Sequence, residues 1–344
     1  MPNRPFKILS IDGGGIRGVF PAMFLAKLEA ELKSKGKENW QIYQNFDLIC
    51  GTSTGGILAI ALALGIPAQE LHELYLNNAK SIFGKNWKLL RFYKRWIKGL
   101  GWSVHNRKSL ESLIQEKFKA VNGTEDPRID HCKTSICVPI YDLLNGHPSV
   151  LKTKHHEAFK RDFHIPAYKA ALATSAAPTY FNPYSSEYKD LNGINNSFTN
   201  KVDGGVVANN PTLLGIFEAQ EAFEEKIENL RILSLGTGHQ KFTDGKKRHR
   251  WGISYWLSKT RLIDLFMQAQ SQLVENQISL LQLGIDKKLK EAPRFKYIRV
   301  NTELSGPLNI ALDETGKDKL NKLSEKAAFE FGNYGSEVIK TFCE

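Results

Sequence analysis

Twice within its first 64 residues the chain passes from a short apolar segment through a glycine-rich turn into a helical stretch. Residues 6–11 lead into Asp12-Gly13-Gly14-Gly15-Ile16-Arg17-Gly18, after which Phe20, Phe24, Leu28 and Leu32 recur every four residues up to Lys35-Gly36. Residues 46–50 lead into Gly51-Thr52-Ser53-Thr54-Gly55 and the almost wholly apolar run 57–64. A stripe with a period near four faces one core, whereas a helix apolar on every side is buried all round. Two such units in succession predict a βαβ arrangement. Further strand patterns at 135–141, 149–153, 232–235 and 295–300 alternate with helical patterns at 109–120, 211–226, 262–284 and 317–341. The expectation is an α/β fold on a largely parallel sheet, with a helical insertion at 80–102.

Composition removes several classes. With 344 residues and 42% hydrophobic content the chain buries a sizeable core, which excludes intrinsic disorder. Its four cysteines form no CxxC pair, so neither a disulfide framework nor a zinc site is expected, and reduced thiols in the cytoplasm fit better. Met-Pro-Asn-Arg-Pro opens the chain without a secretory pattern, and the most apolar stretch, 55–67, is well short of the roughly 20 residues that span a bilayer.

Gly51–Gly55 matches G-x-S-x-G. The pentapeptide alone is weak, but its place between a strand and a buried helix is where a tight turn projects a serine hydroxyl at a helix N-terminus. Ser53 is therefore a candidate nucleophile. Three consecutive glycines at 13–15 are costly in backbone entropy and signal close approach of the backbone to something. Their N–H groups suit the oxyanion of an ester under attack. The competing reading, a Gly13-x-Gly15-x-x-Gly18 dinucleotide fingerprint, requires an acidic residue at the end of the next strand; that strand ends Leu48-Ile49-Cys50-Gly51. For the base there are two candidates: Asp203, in Asp203-Gly204-Gly205 ahead of Ala208-Asn209-Asn210-Pro211, and His239 after Gly236-Thr237-Gly238. An aspartate has an ordinary pKa of about 3.9 and needs a water-poor pocket to act as a base. Ser, Asp, His is also the triad order of α/β-hydrolases.

Taken together these residues resemble the patatin-like phospholipases, in which a DGGGx[RK]G loop forms the oxyanion hole, GxSxG carries the nucleophile and a late D-G-G or D-G-A carries the base. The segment Ala173-Thr174-Ser175-Ala176-Ala177-Pro178-Thr179-Tyr180-Phe181 is similar to the family's segment between nucleophile and aspartate. The resemblance implies a three-layer α/β/α sandwich with a mostly parallel central sheet and helical insertions. It implies one domain over 1–344, with a catalytic core at about 6–240 and a helical C-terminal elaboration at about 241–344. It further implies hydrolysis of lipid acyl esters by a Ser53–Asp203 dyad without histidine or cofactor, with Gly13, Gly14 and Gly15 as the oxyanion hole. Arg17 would order that loop or meet substrate.

The net charge of +11 is concentrated. Residues 74–110 hold nine basic and no acidic side chains, and residues 239–261 hold seven basic ones against Asp244. Aromatic residues interleave with both, a composition that suits a lipid headgroup layer or an anionic ligand. Lys94, Arg95, Lys98, Lys247, Arg248 and Arg250 are the candidate surface for a phospholipid membrane bound peripherally, and no nucleic-acid polymer is expected. The chain also resembles, more narrowly, bacterial patatin-like effectors switched on by a cyclic dinucleotide to degrade the cell's own membrane in antiphage defence. That would imply a cyclic dinucleotide activator and an activation-dependent homo-oligomer. A constitutive lipase and a non-enzymatic dinucleotide- or lipid-binding protein are the alternatives.

Overall fold

The computed structural model describes residues 4–83, 107–119, 123–240, 261–288 and 295–344. The predicted βαβ start is present: β1 (Phe6–Ile11), α1 (Val19–Ser34), β2 (Leu48–Gly51) and α2 (Thr54–Leu64). They are followed by α3 (Ala68–Phe83), α4 (Lys108–Lys119), β3 (Ser135–Asp142), β4 (His147–Lys152) and α5 (Ala167–Thr174). Next come β5 (Tyr184–Lys189), β6 (Asn195–Asp203), α6 (Thr212–Ala222) and β7 (Leu230–Leu235), and then α7 (Arg261–Lys288), β8 (Lys296–Val300) and α8 (Lys317–Val338). The six basic residues expected at a membrane or anionic-ligand surface lie outside the described residues, as does most of the helical insertion placed at 80–102.

β1, β2, β3, β7 and β8 pair in parallel, and β4, β5 and β6 add antiparallel contacts at one end. Side chains along the parallel strands alternate between two cores, as the two-residue period of a strand requires. Leu9, Ile11, Ile49, Val138, Leu233 and Val300 meet α1, α2, α5 and α8; Ile8, Leu48, Cys137 and Ile232 meet Ile216 of α6 and Ile278 of α7. Helices on both faces of the sheet make three layers. β8 extends the sheet beyond β7, so residues past 240 help to build the sheet as well as supplying helices.

One detail of the pairing sets up the site. β4 occupies one edge of β3 over Cys137–Asp142, so β2, paired at Ser135–Cys137, and β6, paired at Ile140–Asp142, share the other edge. The two strands run toward each other, and the turn after Gly51 meets the end of β6 at Asp203.

Candidate active site

The turn after β2 is built for Ser53. A Cβ on Gly51 would lie 2.1 Å from the Gly55 carbonyl oxygen, and one on Gly55 would lie 2.3 Å from the Ile11 carbonyl oxygen, so neither position has room for a side chain. Between them Ser53 adopts φ 55° and ψ −121°, a conformation that a non-glycine residue holds only when its surroundings enforce it. The enforcing contact is the Ser53 N–H, which donates to Thr174 Oγ1 at 3.1 Å, while Thr174 Oγ1 donates to the Pro139 carbonyl at 2.8 Å.

The same segment holds the aspartate. Asp203 N–H donates to the Ala176 carbonyl and Gly204 N–H to the Thr174 carbonyl, both at 3.1 Å. Residues 174–176 thus grip nucleophile and aspartate together. Ser53 Oγ donates to Asp203 Oδ2 at 2.6 Å, and Asp203 Oδ1 accepts the Gly205 N–H at 2.6 Å. Both side chains are buried. Burial raises the Asp203 pKa to about 7, against the opposing effect of these two hydrogen bonds. A carboxylate poised near neutrality and in direct contact with a hydroxyl can accept its proton.

His239 is not part of this pair. Its N–H donates to the Thr302 carbonyl, and the residue lines a second, polar cavity of about 300 Å³ beside the glycine loop. Among the described residues no cluster of three or more His, Cys, Asp or Glu side chains is arranged to hold a metal ion.

The glycine loop requires one correction. Gly13 N–H is already committed, donating to the Asn209 carbonyl at 3.0 Å, so it is not free for an oxyanion. Gly13 O accepts from Thr237 Oγ1 at 2.8 Å, which ties the loop to the end of β7. Gly14 and Gly15 remain the candidate donors, and Gly15 lines the same cavity as Ser53. A Cβ at Gly14 would fall 2.1 Å from Thr237 Oγ1; Gly15 has φ +57° and would place a Cβ 2.3 Å from the Leu312 carbonyl. Arg17 Nε donates to the Gly14 carbonyl at 3.4 Å, which fits a loop-ordering role.

Sequence reasoning missed the anchor beneath this loop. Arg299 of β8 donates to both carboxylate oxygens of Asp12, at 2.9 and 2.6 Å, and to Ser234 Oγ at 2.9 Å. Burial disfavours the Arg299 charge, but Asp12 outweighs it and raises the Arg299 pKa. The only hint in the sequence is an arginine inside an otherwise strand-like run, 287 residues from its partner.

Ser53 and Asp203 open onto a cavity of about 320 Å³ with walls that are mainly apolar, including Ile57, Tyr75, Leu110, Phe181, Ile263, Phe266 and Leu312. A polar reacting centre at one wall of an apolar cavity suits an ester with a long hydrocarbon arm. Fold and site together define a class: a three-layer α/β/α protein with a buried serine–aspartate pair at the wall of an apolar cavity.

The comparisons carry this class to a family. The family model described as patatin-like phospholipase matches residues 9–216, and the chain belongs to that family, whose members are hydrolases acting on lipid esters. It is 32% identical to "Patatin-like protein 2" of Oryza sativa subsp. indica over 92% of this chain and 81% of the relative. It is 33% identical to a "cGAMP-activated phospholipase" of Escherichia coli (strain TW11681), over 93% of this chain and 87% of the relative. A protein of the same description from Vibrio cholerae serotype O1 is 35% identical over 79% of each chain.

Proposed function

We propose that the chain hydrolyses fatty-acyl esters of membrane phospholipids, with Ser53 as nucleophile and Asp203 as the sole base. The observation that carries the reading is the 2.6 Å contact between Ser53 Oγ and a buried Asp203 whose pKa lies near 7, at the wall of an apolar cavity. In the first step Ser53 Oγ attacks the acyl carbonyl carbon while Asp203 Oδ2 takes the hydroxyl proton. The tetrahedral oxyanion is met by the Gly14 and Gly15 N–H groups. Collapse breaks the bond to the lipid alcohol, which leaves with the proton from Asp203. Water then attacks the acyl-serine, Asp203 takes a proton from it, and release of the fatty acid returns that proton to Ser53.

The relatives named as cGAMP-activated support a second element, a cyclic dinucleotide that switches the enzyme on. In this reading the activated enzyme works from the cytoplasm on the surface of the cell's own membrane in antiphage defence. No helix among the described residues is long and apolar enough to cross a membrane. The first test is labelling of Ser53 by a fluorophosphonate, abolished in Ser53→Ala. The second is fatty-acid release from phospholipid vesicles with and without cGAMP. A labelled enzyme that releases fatty acid at one rate under both conditions removes the switch and leaves the hydrolase.

A further inference from the structure

Helix α7 carries apolar residues on two sides, and among the described residues one side is packed while the other is largely exposed. Ser271, Ile278 and Ile285, seven residues apart, are buried on the side that meets the sheet layer. On the other side Phe266, Leu273 and Leu280 are also seven apart, and Leu262, Ala269, Asn276 and Leu283 interleave with them at the alternating three- and four-residue steps of a heptad seam. Phe266, Leu273, Leu280 and Leu283 are 58, 58, 68 and 57% exposed. Six of the seven seam positions are apolar over three heptads.

The shape and chemistry of the seam select its occupant. A strict 3-4 repeat is narrower than the broad apolar face of a helix lying on a bilayer, and it matches the knobs-into-holes contact of another helix. The positions flanking it are Ile263 and Leu265 in the first turn and then Gln270, Gln272, Gln277, Ser279, Gly284 and Asp286, so a copy of the same face meets almost no like charge. No Lys or Arg occurs between residues 262 and 286; the basic residues of the helix sit only at its ends, at Arg261, Lys287 and Lys288, rather than along its polar face as in an interfacial helix. Asn276 is the one polar seam residue, the device by which paired helices fix register at some cost in stability.

We propose that this face of α7 pairs with the same face of a second copy of the chain in a two-fold interface. The first turns of the helix belong to the site already described: Phe266 of the seam, with Ile263 and Met267 beside it, lines the Ser53 cavity. Pairing therefore covers the outer side of a cavity wall and couples association to entry of substrate, a consequence that rests on the proposed hydrolase reading; the pairing itself does not.

Light scattering and sedimentation of the full chain across a concentration series test the proposal without reference to catalysis. The wild type is expected to be a concentration-dependent dimer. Leu273→Lys/Leu280→Lys and Leu273→Glu/Leu280→Glu should each be monomeric with unchanged far-ultraviolet circular dichroism, and mixing the two should restore a heterodimer. Asn276→Leu should tighten the dimer about tenfold or more, since the polar seam residue is removed. A wild type that stays monomeric throughout overturns the proposal, including one that instead binds neutral vesicles through Leu273 and Leu280. Charged variants that associate as the wild type does, or an Asn276→Leu chain with unaltered affinity, overturn it equally.

Discussion

Replacement of Asp203 by Asn should inactivate the enzyme and, at alkaline pH, stabilise it. In the folded chain the carboxyl has a pKa of about 7, against 3.8 in its absence of burial. The folded state therefore keeps a proton that the unfolded chain releases between those two values. Stability falls as pH rises through that window, and above pH 7 the full penalty is about 4 kcal/mol. Asparagine carries no proton to lose, and its amide matches both hydrogen bonds: its oxygen accepts from Gly205 N–H, and its nitrogen donates toward Ser53 Oγ. The stability difference between Asp203→Asn and wild type should thus be small near pH 4, grow through pH 5 to 7, and level off near pH 8 at a value approaching that penalty.

Denaturant titration of both proteins at several pH values measures this difference, with Ser53→Ala as an inactive control that keeps the carboxylate. Hydrolysis of a soluble ester by Asp203→Asn should fall by about 10³-fold. Wild-type kcat/KM should drop about tenfold for each pH unit below 7, because only the ionised carboxylate accepts the Ser53 proton. A stability difference that does not change with pH, or an activity plateau extending down to pH 5, would show that the carboxyl titrates normally and would refute the dyad chemistry argued from its burial.

Four further outcomes follow from the geometry. Gly14→Ala and Gly15→Ala should each lower kcat by about 100-fold with the Ser53–Asp203 pair intact, because the added Cβ meets Thr237 Oγ1 or the Leu312 carbonyl and displaces the loop; steady-state ester hydrolysis reads this. Thr174→Val leaves the buried Ser53 N–H without its acceptor, at a cost of about 1–3 kcal/mol, and should lower kcat with little change in KM. Arg299→Met strands the Asp12 carboxylate in the interior and should destabilise by about 3–5 kcal/mol in denaturant titration, with much of the loss recovered in Asp12→Asn/Arg299→Met. His239→Ala should leave ester hydrolysis within experimental scatter, since the ring lines the neighbouring polar cavity; a folded but inactive variant would restore the triad.

What the sequence disclosed and what it hid divide along one physical line. β1, β2 and α2 were legible because their information is local: an apolar run, a glycine turn that sterics demand, and a helix that is apolar all round. The end of β6 was not, since Asn195–Asp203 is polar and mostly exposed until Lys201, from which point the strand pairs with the buried β3 as it leaves its edge partner β5 behind. Even so, Asp203 stood out by its glycines, although nothing local distinguished it from His239 as the base. That decision is made by the shared edge of β3, where β2 and β6 meet end to end, and by Thr174 and Ala176, which hold Ser53 and Asp203 from one segment. The commitment of Gly13 N–H to Asn209 is of the same kind: three glycines in a row look equivalent, and only the partner brought in from 196 residues away shows which of them are left to face an oxyanion. Motif residues reveal which groups can react; the contacts between motifs determine which of those groups are free to do so.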